Sequence, residues 1–173
     1  SLFTDYAEKA RFVWMPDGTS AVYDETDAFE FPVGAVLIKN FYYSADQSQP
    51  SDDRRIMETR LLVNTETGWQ AYPYVWNEEQ TDAVLEVAGE TIPHAWVDHN
   101  GEPREIDYMV PNKIQCKGCH VVANEMQPIG PKARNLNGEL AYADGTMNQL
   151  EKWAAMGYLT GFASVAESPR MPV

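Results

Sequence analysis

The chain has 173 residues, room for one ordinary domain or for one domain with a smaller appendage. Apolar residues make up 44% and charged residues 23%, near globular averages, which argues against general disorder. Asp and Glu outnumber Lys and Arg 26 to 13, and the formal charge of −13 argues against binding to nucleic acid or to anionic membrane surfaces. The longest apolar stretches are short, such as Val36-Leu37-Ile38, far below the ~20 residues of a membrane span, so none is expected. Ser1, with no leader ahead of it, reads as a mature or engineered start or as a cut inside a longer chain.

Up to Pro111 the text is rich in β-formers and turn signals. Residues 33–43 (VGAVLIKNFYY) are apolar on both alternating faces, as in a central strand. Residues 46–53 are polar and contain Pro50, the pattern of a mobile loop. Residues 56–63 (IMETRLLV) alternate, with Glu58 and Arg60 on one side and Thr59, Leu61 and Val63 on the other. A turn over 65–68 leads into the aromatic stretch 69–76 (WQAYPYVW), where Pro73 predicts an edge or a bulge. That stretch is either core or a contact surface. Residues 83–87, 92–97 and 105–110 make three further short strands, with a hairpin turn at His99-Asn100-Gly101-Glu102 between the last two.

After Pro111 the grammar turns helical. Asn112 can cap a short helix carrying the only two cysteines, Cys116 and Cys119. Further on, Thr146 and Gln149 fit a capping box. Leu150, Trp153 and Ala154 follow at helical spacing, and Gly157 is a natural stop. The expectation is an α+β protein: an antiparallel β-rich sandwich or small barrel over 1–110, then a helical cytochrome c-like haem segment over 111–173.

The chemistry lies in Cys116-Lys117-Gly118-Cys119-His120. In a CxxCH sequence the two thiols can add across the vinyl groups of one haem, and the adjacent imidazole then lies beneath the iron. A thioredoxin-like redox pair lacks its βαβ context, and a zinc site finds only His94 and His99 as further ligands. One covalent haem c is therefore expected, with Cys116, Cys119 and His120 binding it and His120 as metal ligand. Covalent attachment takes place outside the bacterial cytoplasm, so a periplasmic or extracellular location is expected.

Pro128-Ile129-Gly130-Pro131 resembles the Gly-Pro loop that follows the haem motif in class I cytochromes c. That likeness makes the Pro131 carbonyl the candidate partner for the second nitrogen of His120. Lys113, Lys117, Lys132 and Arg134 against one acid, Glu125, make this stretch basic, either as a docking patch for an acidic redox partner or as a solvated loop. Arg134 is the candidate for a haem propionate, and Ile129, Leu136 and Trp153 for packing near the ring. Met171, flanked by prolines in the tail, is the first candidate for the sixth iron ligand. Met109, reaching over from the β body, and the imidazoles of His94 and His99 are alternatives; Met126, only six residues past His120, reaches the opposite face with difficulty, Met147 and Met156 suit the helix core, and an open sixth position is a further alternative.

The phrases LFTDYAEKARFVWMPDG, FPVGAVLIKNFYY, ETRLLV, GWQAYPYVWNEEQTDAVL, DYMVPNKIQCKGCH, PIGPKARNLN and NQLEKWAAMGYLTG run through nearly the whole chain. Together they resemble an uncharacterised family of bacterial di-haem c-type cytochromes. The resemblance implies a β-rich N-terminal part and a haem segment carrying Cys116, Cys119 and His120. It also suggests a second haem domain or subunit as partner, since only one CxxCH is present here. A weaker likeness to the cytochrome P460 group implies instead an open haem face for catalysis or gas binding. A haem enzyme or gas-binding protein with an open sixth site would build its distal pocket from the β body, with a polar group such as His99 or Arg104. The leading expectation is a mono-haem electron carrier rather than an enzyme.

Overall fold

The structure, a computed structural model, describes residues 6–49, 53–112, 115, 121–122 and 125–171. The chain divides into two compact units: Ser1–Val13, Leu37–Val63 and Gln70–Cys119 in one, and Trp14–Val36, Asn64–Trp69 and His120–Val173 in the other.

The first unit is β structure. Strands β1 (Glu8–Trp14), β3 (Val36–Ser44), β4 (Arg54–Thr65), β5 (Gly68–Trp76) and β6 (Ala83–Leu85) form one sheet in the order β1-β3-β4-β5-β6. The sheet is open, with β1 and β6 as edges, so the expected small barrel is not formed. Strand β3 is interior, as its two apolar faces predict. Strand β5 pairs antiparallel with β6 only from Tyr74 to Trp76. Pro73 sits just before that pairing, and its carbonyl accepts from the Glu86 amide at 2.9 Å. Its missing N–H thus faces the side where β6 has already ended, which is how a proline is tolerated there.

Strands β7 (Glu90–Val97) and β8 (Pro103–Val110) form an antiparallel hairpin. Gly101, at φ 81°, supplies the left-handed residue of its turn. Asp98 closes that turn, its carboxylate accepting from the amides of Asn100 and Glu102. The hairpin buries Trp96, Tyr108 and Val110 with Phe41, Tyr43, Met57 and Ala7, and this cluster is the unit's core. Tyr43 holds it together, 4.9 Å from the Trp96 ring and edge-on to Tyr108 at 6.1 Å.

The face of β4 that carries Glu58 and Arg60 points inward, not to water. Glu58 is wholly buried, held by Arg60 and by the Tyr108 hydroxyl at 2.5 Å. Residues 46–49, expected to be mobile, are tied down: the Gln47 amide donates to the Val97 carbonyl, and the Trp96 indole N–H donates to Gln47 Oε1 at 3.1 Å.

Among the described residues, the second unit combines short strands and two short helices. Strand β2 (Ala21–Val22) pairs parallel with β13 (Leu159–Thr160). Strands β9 (Val121–Val122) and β10 (Glu125–Met126) pair, as do β11 (Glu139–Tyr142) and β12 (Gly145–Asn148). The helices are α1 (Ala133–Leu136) and α2 (Gln149–Ala155). Phe29, Phe31, Met15, Ala133, Leu150 and Leu159 are buried, with Trp153 edge-on to both phenylalanine rings.

The predicted helical segment after Pro111 is therefore largely strand and turn among the described residues. Thr146 caps nothing; it lies in β12 opposite Ala141. The N-cap of α2 is Asn148, whose side chain accepts from the Leu150 amide. The stop at Gly157 is present, at φ 75° one residue past the C-cap Met156.

Candidate functional site

The CxxCH run follows β8 along the chain. Val110, at the end of that strand, is buried, and Pro111 leads to Asn112. Asn112 Oδ1 accepts from the Gln115 amide at 2.9 Å, and Gln115 Oε1 accepts from the Asn112 amide at 2.9 Å. This reciprocal pair is a capping-box geometry, the Asn side chain standing where Ser or Thr is usual. It satisfies the backbone amides of Asn112 and Gln115, and Gln115 is helical. Gly89 packs against the same corner: a Cβ on it would lie 2.9 Å from the Val110 carbonyl and 3.0 Å from the Asn112 amide. Asn112 was legible as a cap in the sequence; Gln115 was overlooked, although Asn-x-x-Gln is itself the signal. Cys116, Cys119 and His120 lie outside the described residues, as do Lys113 and Lys117.

Downstream, the structure gathers several of the predicted site residues in the second unit. Pro128 is buried, and Ile129 is half-buried beside it. The Pro131 carbonyl accepts the Phe29 amide at 2.9 Å, which uses one of its two lone pairs. Lys132 reaches Asp27 at 3.4 Å, so this lysine of the basic stretch has an acidic neighbour. Arg134 is exposed on α1, while Leu136 is half-buried. The Arg134 carbonyl accepts the Met171 amide at 3.2 Å, which pins the tail to α1 and brings these two residues together. Buried Asn137 reinforces the contact, its Nδ2 donating to the carbonyls of Val165, Ser168 and Pro169. Met171 itself is 53% exposed. Trp153 is half-buried against Phe29 and Phe31.

The other candidate ligands are scattered. Met109, Met147 and Met156 are exposed, and Met126 is half-buried. His99 is exposed, with Nδ1 2.9 Å from the Gln47 carbonyl. Arg104 is engaged with Asp98 at 2.8 Å, and that pairing, with the turn amides, holds the Asp98 carboxyl below its usual range. His94 sits in the first unit's aromatic cluster, stacked on Trp96 at 5° and 6.1 Å. Burial, with the Arg55 guanidinium beside it, lowers its imidazole to about 4. Among the described residues no three His, Cys, Asp or Glu side chains gather as a metal site. No helix among them is long and apolar enough to cross a membrane.

Comparison of the chain with protein-family models, with curated proteins and with solved structures finds no match.

Proposed function

We propose that the protein is a mono-haem c-type cytochrome acting in electron transfer outside the cytoplasm. One observation carries the reading: the chain's only two cysteines stand two residues apart with a histidine directly after the second. The chemistry of this donor set, two thiols and one imidazole, fits a covalently held haem. The Asn112–Gln115 pair supports it, because a capped turn just ahead of Cys116 is what a helical attachment segment needs.

On this reading Cys116 and Cys119 anchor the porphyrin and His120 binds the iron. Pro131 keeps a carbonyl lone pair with which to fix the His120 tautomer. Arg134, exposed beside the tail that bears Met171, would pair with a haem propionate, and Met171 is the proposed sixth ligand. Ile129, Leu136 and Trp153 would shield the ring. The haem, when bound, supplies reversible one-electron chemistry; the chain supplies ligands, burial and a docking face. A redox partner protein and a second haem domain or subunit are the proposed partners.

The test is the absorption spectrum of protein made in a host competent for haem attachment, oxidised and reduced, with and without carbon monoxide. A low-spin spectrum indifferent to carbon monoxide is expected, with a far-red sulfur-to-iron band that Met171→Ala removes. A high-spin spectrum shifted by carbon monoxide would replace electron transfer with catalysis or gas binding at an open site. Absence of covalent haem would overturn the reading.

A further inference from the structure

We propose that Lys9, Arg11, Lys39 and Arg60 form a binding site for a small multivalent oxyanion of the phosphate class. The four residues lie on β1, β3 and β4, which are consecutive in the sheet. Lys9 and Arg11 are two apart on β1 and so share a face. One ring gathers the other two: Lys39 Nζ is 4.6 Å and Arg60 Cζ 4.3 Å from the centroid of buried Phe41. Four of the chain's 13 basic residues thus fall on three adjacent strands, although acids outnumber bases 26 to 13.

Among the described residues the charge there is not balanced from within. The carboxylate in their midst is Glu58, which Arg60 grips through Nε at 2.8 Å and through Nη2, and which also accepts from Tyr108. That offsets Arg60. Among the described residues Lys9, Arg11 and Lys39 make no ion pair with a carboxylate. Burial first, then the charges of Arg11, Arg60 and Lys9, push the Lys39 ammonium down to about 8, against a weaker upward pull from Glu58. Burial, Arg11 and Arg60 also lower Lys9. At neutral pH Lys39 still carries charge, and an anion would relieve the like-charge repulsion among its neighbours.

The ligand has to be small and at least doubly charged. Lys39 is half-buried and the Arg60 side chain is 25% exposed, so it must reach partly buried heads. A long polyanion would spread its charge over the remaining surface of a molecule at −13 and be repelled. Exposed Arg11 can offer two parallel N–H groups to adjacent oxygens, while the lysines act as point charges. The site is independent of the haem reading.

The probe is inorganic phosphate, titrated calorimetrically into the full chain at pH 7 and fixed ionic strength, with chloride as reference. Saturable binding is expected, with a rise in Tm beyond that of chloride. Lys39→Met should weaken the affinity by about tenfold, and Lys9→Gln or Arg11→Gln by about threefold each. Lys152→Gln, whose lysine pairs with Asp144, should leave it unchanged. If Lys39→Met loses its fold, the two β1 variants decide. No saturable binding, a Tm gain matched by chloride, or wild-type affinity in both β1 variants would overturn the proposal.

Discussion

Glu58 and His94 show two ways in which one side chain is fitted to the interior of the first unit. Glu58 is an acidic side chain wholly buried, which is sustainable because Arg60 and Tyr108 together meet its oxygens. Burial and the neighbouring Glu58 carboxylate drive the Tyr108 hydroxyl far above its usual range, so it remains a donor. His94 is held neutral instead, half-buried between Tyr43 and Trp96, with Nε2 buried and without a partner among the described residues. Burial and Arg55 lower its pKa from 6.5 to about 4. Between those values the unfolded chain binds a proton that the folded chain does not, so acidification through that window removes stability. Thermal unfolding of wild type should therefore fall more steeply between pH 6.5 and 4 than that of His94→Gln. Carboxylates titrate in both proteins, so the difference isolates the imidazole; superimposable profiles would contradict this account. The alternation of β4 was legible in the sequence. That its charged side faces the core was not, because only the hairpin laid over the sheet brings Tyr108 to Glu58.

At the scale of elements, the helix α2 depends on Asn148, which caps it and also donates from Nδ2 to Asn137 Oδ1 at 2.9 Å. Asn137 in turn holds the tail carbonyls, so cap and tail are linked. Asn148→Ala should cost about 2 kcal/mol in urea unfolding, more than a simple cap, because Asn137 loses a partner as well. Asn148→Asp keeps the cap but not the donor, and should cost about half as much. Equal losses for the two variants would mean that the Asn137 contact contributes nothing. Hairpin β7–β8 was readable because Asn100-Gly101 is a strong turn signal between two alternating runs. Hairpin β11–β12 was missed although Asp144-Gly145 offers a similar signal, since Leu140, Met147 and Leu150 also suit a helix. Strand β1 went unread because Lys9 and Arg11 interrupt its apolar pattern, a composition common on sheet edges.

Over the whole molecule, the charge of −13 is a standing self-repulsion that salt screens. Added sodium chloride should raise Tm from low ionic strength up to about 0.5 M, by damping that repulsion, and a flat or falling Tm would show that local pairs dominate. Composition, charge and period-2 patterning determined by themselves that the chain is β-rich and has an antiparallel hairpin over 90–110, because these are local properties of neighbouring residues. The CxxCH run is equally local, and it fixed the proposed chemistry without any fold. Only the tertiary structure decided that the sheet stays open and that residues 14–36 and 64–69 fold with those from 120 onward. It likewise decided that Lys39 and Arg60 converge on the Phe41 ring and that Arg60 grips Glu58. The physical reason is distance along the chain. The pairing of Ala21 with Leu159, like the approach of β1 to β3, joins segments whose mutual fit is not encoded in either one alone.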